Sequence, residues 1–222
     1  MVPVALAPVP PEFDEKVRQP GLNAIAEMVG KPLPYPGKSR KKHSKIVNQE
    51  SDIPAKAFPP YWRDVLPEML SAYERRCAYL AMYIHSATGG PTVDHVVPKS
   101  RAWRQVYDWS NYCLCAAIIN SKKGALLTLV NPFTVGPDWF TLNLYTAQVE
   151  RGATAPRAEW KRIDATLPVL NHRLCIEERK EYLDCYRRGP GLCGIDITYL
   201  ERRAPFIAGE LRRQGKLVRG DT

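Results

Sequence analysis

Four side chains in one stretch carry the residue types that phosphodiester hydrolysis would need. Asp94 and His95 are adjacent, Asn111 follows His95 by sixteen residues, Asn120 follows Asn111 by nine, and Lys122 and Lys123 come soon after. A neutral imidazole titrates near neutral pH, so His95 is the natural general base. Asp94 and Asn120 are oxygen donors, which suit Mg²⁺, an ion that keeps several waters and takes few protein ligands. The reaction needs an activated water, a cation at the scissile phosphate, and a geometry that keeps attack in line. An Asp-His pair alone is most often a loop or surface feature. The ordered set with its nine-residue Asn spacing is far more specific.

The stretch reads VDHVVPKSRAWRQVYDWSNYCLCAAIINSKKG over residues 93–124. It resembles the HNH, or ββα-metal, nuclease family, with Asn120 in a last position that is His in many members. The resemblance is firm over this stretch and looser over the flanks from Phe13 to Tyr145. It implies that Asp94 and Asn120 hold Mg²⁺ or Mn²⁺, that His95 activates water, and that Asn111 ties the loop together and orients His95. It also implies that Lys123 faces a phosphate. Many such proteins hold a structural Zn²⁺ with two Cys-x-x-Cys pairs. In this register those positions are Cys77, Leu80, Ala116 and Ile119. Three are apolar, so no structural zinc is expected, and Leu80, Ala116 and Ile119 would pack in its place. Cys77 alone reads as a buried small residue.

Elements on both sides must position these groups. Apolar residues at Leu66, Leu70, Tyr73, Cys77, Leu80, Ala81 and Ile84 form a helical stripe, which predicts a helix after FPPYW (58–62) that stops near Thr88-Gly89-Gly90. Tyr73, Tyr79 and Tyr83 read as core rather than as base-stacking residues, and Arg75 and Arg76 as facing away from the stripe. A first strand is expected around Thr92 to His95. The loop from Val96 to Asn111 carries Lys99, Arg101 and Arg104, where a phosphate backbone would lie in a nuclease; a generically basic loop is the alternative. With Lys122 and Lys123 these complete the candidate nucleic-acid contacts. Trp103, Tyr107 and Trp109 read as loop anchors. Tyr112 to Cys115 alternates like a strand, with Cys113 and Cys115 on one face as buried thiols. Ala116 to Lys123 reads as a short helix stopped by Gly124.

The remainder supports this stretch. Met1 to Pro11 is Pro-rich and expected to be extended or mobile, without the basic start of a signal peptide. Phe13 to Gly30 reads as helix interrupted at Pro20-Gly21, and KPLPYPG (31–37) as a stiff linker. Five basic residues between Lys38 and Lys45, with no acid, fit either a phosphate-tracking run or a solvated loop; His43 among them is incidental. Alternation around 139–145 suggests a strand or hairpin packed on the motif. Glu159 to Arg188 reads as largely helical, with Ile163, Leu167, Leu170, Leu174 and Leu183 apolar and His172 on a helix face. Gly189-Pro190-Gly191 is a break, and Asp196 to Gln214 a final amphipathic helix.

Over 222 residues the formal charge is +9, which favours a polyanionic partner without requiring one. Six cysteines form no Cys-x-x-Cys pair and no regular framework, so reduced thiols in a cytoplasm are expected rather than disulfides. No run approaches a membrane span, and no phosphate-cradling Gly-rich loop is present, so the chain is expected to carry no ATPase of its own. The expected fold is α+β: a small ββα-metal core wrapped by flanking helices. Its divisions are an N-terminal Pro-rich and basic extension (1–56), a core with preceding helix and following hairpin (57–150), and a C-terminal helical region (151–222). The expected activity is metal-dependent cleavage of DNA. The resemblance extends to nucleases of Septu-like anti-phage systems, which pair with a separate ATPase. A non-cleaving nucleic-acid-binding module and an RNase stay open as alternatives.

Overall fold

Frequent Gly and Pro keep the strands and most helices short. The computed structural model describes residues 1–126, 129–189, 194–218 and 221. Its strands are β1 (Pro91–His95), β2 (Tyr112–Ala116), β3 (Phe140–Leu142) and β4 (Val149–Arg151). Its α-helices are α1 (Gln19–Val29), α2 (Leu66–Ala72), α3 (Ala117–Lys123), α4 (Trp160–Leu170), α5 (Arg173–Arg188), α6 (Ile197–Arg203) and α7 (Pro205–Arg213). The fold is α+β, with helices around two separate two-stranded sheets.

β1 and β2 pair antiparallel, with Asp94 opposite Cys113 and His95 opposite Tyr112. Every residue of β2 is buried, so both its faces need cover. The chain passes directly from Ala116 into α3, and the Ala117 amide donates to the Gly90 carbonyl at 2.9 Å. That bond sets the start of the helix against the start of β1. Gly124, at φ +50°, ends the helix. A two-stranded sheet is marginal in isolation, so the flanking segments hold this unit.

Several of those segments depart from the sequence expectations. The helical stripe after Leu66 yields only α2. Glu74 and Arg75 take left-handed backbone (φ +48° and +58°), which ends the helix. The chain then doubles back: the Cys77 amide donates to the Met82 carbonyl, the Ile84 amide to the Arg75 carbonyl, and Ala81 is left-handed as well. Cys77, Leu80, Ala81 and Ile84 are all buried, as a helical stripe would be, but a tight knuckle buries them. Leu80, Ala116 and Ile119 join the same core, and the Cys77 sulfur accepts the Ala116 amide hydrogen at 3.4 Å. Pro20 does not interrupt a helix; it stands in the first turn of α1, which follows a π-helical turn (Asp14–Arg18) and ends at Gly30. Residues before Phe13 are strapped onto the core: the Ala7 amide donates to the Tyr73 hydroxyl, and the Trp109 indole donates to the Ala7 carbonyl.

β3 and β4 form their own hairpin, which packs on the C-terminal helices α7 and α4. Glu210 of α7 is the clasp, accepting from the Thr141 hydroxyl and the Leu142 amide. The expected long helix over 159–188 breaks at Asn171, whose side chain exchanges two 2.8 Å hydrogen bonds with the Val149 backbone. His172 therefore precedes α5 instead of lying on a helix face, and Leu174 is exposed. The final helix is two, α6 and α7, parted at Ala204-Pro205. Pro190, Gly191 and Cys193 lie outside the described residues. One buried cluster runs from Met1 to Leu211, so the three expected divisions share a core. Among the described residues no helix is long and apolar enough to cross a membrane.

Candidate active site

β1 and α3 place the chemistry. Along a strand, residues two apart share a face, and along a helix residues three apart do. Thr92 and Asp94 on β1 therefore meet Asn120 and Lys123 on α3 in matched pairs. The Asn120 amide donates to the Thr92 hydroxyl at 3.1 Å, and that hydroxyl donates to the Cys115 carbonyl at 2.9 Å. The Lys123 ammonium lies 3.0 Å from Asp94 Oδ1 and 2.9 Å from Oδ2, and it also donates to the His95 carbonyl. Asp94 is 3% exposed and Lys123 1%.

A third element closes on the same carboxylate. Tyr79, in the knuckle after α2, donates its hydroxyl to Asp94 Oδ2 at 3.1 Å, with the Cys113 thiol 3.6 Å away. Burial pushes the Asp94 carboxyl above its ordinary range, and Lys123, Tyr79 and Cys113 pull it back. Burial likewise holds the Tyr79 phenol well above its ordinary value, which keeps it a donor.

His95 is wedged between rings, the edge contacts to Trp62 and Tyr112 having centroids 4.7 and 5.1 Å apart. Its Nε2 lies 3.0 Å from the Val106 carbonyl. A carbonyl only accepts, so Nε2 carries the proton and Nδ1 the lone pair. Burial brings the imidazole down to about 3; the Val106 carbonyl opposes this, and Lys99 and Lys123 add to it. His95 is thus neutral across the physiological range, and at this value it is a weaker proton acceptor than the near-neutral imidazole expected from the sequence.

Asn111 shapes the loop that supplies Val106. Its side chain accepts from the Val97 amide at 2.7 Å and donates to the Val97 and Gln105 carbonyls, while its own carbonyl takes the Val96 amide. It ties the loop together as expected. Its hold on His95 runs through the backbone beside Val106, without contact to the ring. Tyr107 and Trp109 anchor the loop, the former through Pro59 and a ring pressed against Gly21.

Asp94, His95, Asn120 and Lys99 line one cleft of about 600 Å³, together with Trp62, Arg63, Leu66 and Pro98. Arg101, Arg104 and Lys122 are exposed but do not line it. Lys123, expected to face a phosphate, is instead buried against Asp94. Three participants were missed in the sequence. Tyr79 and Trp62 carried only a packing signal, and Arg63 none, because chain folding and not spacing brings it to the cleft.

A divalent ion here would find hard oxygen donors of the right type in Asp94 and the Asn120 amide, too few to demand more than Mg²⁺ does. Asp94 can serve only as Lys123 yields its hold. Among the described residues no three His, Cys, Asp or Glu side chains gather as a metal site. Cys77, whose thiol burial raises and whose bonds with Cys115 and the Ala116, Leu80 and Tyr79 amides bring down to about 7, stands apart from the cleft. Comparison with protein-family models and with curated proteins returns no match to the chain.

Proposed function

We propose that the protein is a metal-dependent nuclease of the HNH type that hydrolyses phosphodiester bonds in DNA. One observation carries the reading: a strand–strand–helix unit brings Asp94, His95 and Asn120 to a single cleft, with the lone pair of the His95 imidazole on Nδ1 and its other nitrogen committed to a carbonyl. In this reading His95 Nδ1 accepts a proton from the attacking water. The Val106 carbonyl keeps the tautomer, and Asn111 keeps that carbonyl in place. Lys99 lies beside the imidazole and draws the phosphate backbone toward it. Mg²⁺ or Mn²⁺ held by Asp94 and Asn120 would stabilise charge developing on the phosphate. Trp62 and Tyr112 shield the ring from bulk water on its two flanks.

The placement among nucleases of Septu-like defence systems, with a separate ATPase as partner, is carried by the sequence resemblance alone. RNA is a second substrate class for the same site.

A second reading is favoured by a specific contact. Asp94 is already satisfied by Lys123, Tyr79 and Cys113, which suits a module that binds nucleic acid without cutting it. Cleavage of supercoiled plasmid with Mg²⁺ or Mn²⁺ separates the two, comparing wild type with His95→Ala and Asn120→Ala. Metal-dependent nicking lost in both variants is the expected result. Cutting that both variants retain would reject the site. Retention of plasmid in a gel shift without cutting, with and without candidate partner proteins, would favour the binding module.

A further inference from the structure

Several cations of this chain pair with a carboxylate. Arg40 takes Asp64, Lys31 takes Glu50 at 2.5 Å, and Arg151 takes Asp164 at 2.9 Å. Arg63 and Lys99 differ. Among the described residues neither has a carboxylate partner, although Asp64 directly follows Arg63. Asp64 is drawn away by Arg40, which itself stacks over Tyr61 with 5.0 Å to the ring centroid.

Arg63 and Lys99 come from different elements, yet both line the cleft that holds His95. Arg63 stands in the 3₁₀ turn Tyr61–Val65 and Lys99 in the loop after β1. Lys99 is not a freely waving surface lysine. It is half-buried, with its ammonium 4.2 Å from the centroid of the Trp62 ring, and the same ring meets the edge of His95. Indole thus fixes the ammonium relative to the imidazole. Burial, and then the charge of the exposed Arg63, lower the Lys99 ammonium from its ordinary value. Trp62, Leu66 and Pro98 supply apolar walls that concentrate the positive potential. Two like charges lining one cleft without a counter-charge favour an anion between them. A planar guanidinium offers a two-pronged grip on phosphate oxygens, and an ammonium adds a point charge.

We propose that Arg63 and Lys99 together seat one phosphate group of the nucleic-acid backbone, next to the phosphate on which His95 acts. The assignment rests on the nuclease reading above and adds to it a backbone contact from the 3₁₀ turn. It makes the Trp62 indole a positioning residue for Lys99 as well as for His95.

The test uses the full chain in two arms. The first measures binding of a fluorescein-labelled DNA duplex by anisotropy in EDTA, across a salt series, so that cleavage plays no part. Arg63→Ala and Lys99→Ala each weaken binding and flatten the dependence of log K on log salt. The double substitution flattens it by about 0.9 in total, the slope of a single lost phosphate contact. Lys161→Ala, exposed on α4, leaves the slope unchanged. The second arm measures thermal midpoints in inorganic phosphate against chloride of equal ionic strength. Phosphate raises the wild-type midpoint and fails to raise that of the double variant. A double variant that loses about twice the slope would replace the shared seat by two separate contacts. Unaltered slopes together with an unaltered phosphate response would overturn the proposal. A phosphate response without a slope change would leave an anion seat off the nucleic-acid path, which also overturns it. Should the wild type bind neither duplex DNA nor RNA, the nuclease reading fails, and the phosphate arm still decides whether the seat exists.

Discussion

Lys123→Met tests what the buried ammonium does for Asp94. Methionine keeps most of the side-chain length and removes the charge, which leaves a carboxylate that is 3% exposed with only the Tyr79 hydroxyl and the Cys113 thiol as partners. Removing one member of a buried ion pair costs about 3–5 kcal/mol, because the survivor is neither solvated nor paired. For a chain of this size that lowers the thermal midpoint by roughly 6–20 °C. The cost depends on the charge of Asp94. Burial already raises that carboxyl, and loss of the ammonium raises it further. A carboxyl raised in the native state makes stability fall as pH climbs from the unfolded value, near 3.8, to the native one. The variant is therefore expected to sit closer to wild type at pH 5 than at pH 7.5. Adding Asp94→Asn to Lys123→Met should recover most of the loss, since a neutral pair carries no stranded charge. Adding Mg²⁺ to the single variant should also restore midpoint, if Asp94 takes the ion once Lys123 is gone. Urea and thermal unfolding at both pH values supply the data. A single variant within about 1 kcal/mol of wild type at pH 7.5, or a double variant no better than the single, would refute the reasoning, because the pair would then not be what satisfies the site.

His95 is held neutral with its imidazole at about 3, against 6.5 when unfolded. The unfolded chain binds the extra proton first, so stability present above pH 6.5 is lost as pH falls toward 3, at up to about 1.4 kcal/mol per unit; a His95→Leu chain compared with wild type by urea unfolding at pH 7 and pH 5 should show the smaller drop, and equal drops would contradict the assignment. Tyr79→Phe removes one hydrogen bond to Asp94 and should cost about 1.5–3 kcal/mol in the same assay; no change would mean that the phenol is idle. In Gly21→Ala a β-carbon would fall 2.3 Å from the Tyr107 ring, so a loss of about 1–3 kcal/mol is expected, together with higher amide exchange in the loop 96–111, and an unperturbed loop would argue that Tyr107 does not anchor it.

The candidate site was legible in the sequence where its geometry is local. β1, the loop, β2 and α3 are consecutive, so the spacing of Asp94, His95, Asn111 and Asn120 carries their convergence, and Gly124 marks the helix end by its left-handed backbone. The burial of Lys123 against Asp94 was also legible. Lys123 stands three residues after Asn120, so a helix that turns Asn120 toward β1 must turn Lys123 there too. Other features had no local signal. Glu74 and Arg75 adopt left-handed backbone without the Gly or Asn that would announce it, so a knuckle looked like a continuing helix. Asn171 breaks a helix in order to bind the Val149 backbone, 22 residues away in sequence. Arg63 and Tyr79 reach the site only through the packing of the segment before β1.

The shared core has a consequence for modularity. Small structural units are often exchanged between proteins as self-contained cassettes, but the strand–strand–helix unit here leans on residues outside it. Its Trp109 and Tyr112 lean on Phe13, with ring centroids 5.6 and 5.9 Å apart, and Tyr107 leans on Gly21 and Pro59. Excised at residues 57–150, it would lose Phe13 and Gly21 and leave the faces of Trp109, Tyr112 and Tyr107 that they cover bare. The piece would then behave as a protease substrate and an aggregation seed in the cell. Moving the unit into another scaffold would require carrying the segment around Phe13 and Gly21 along with it.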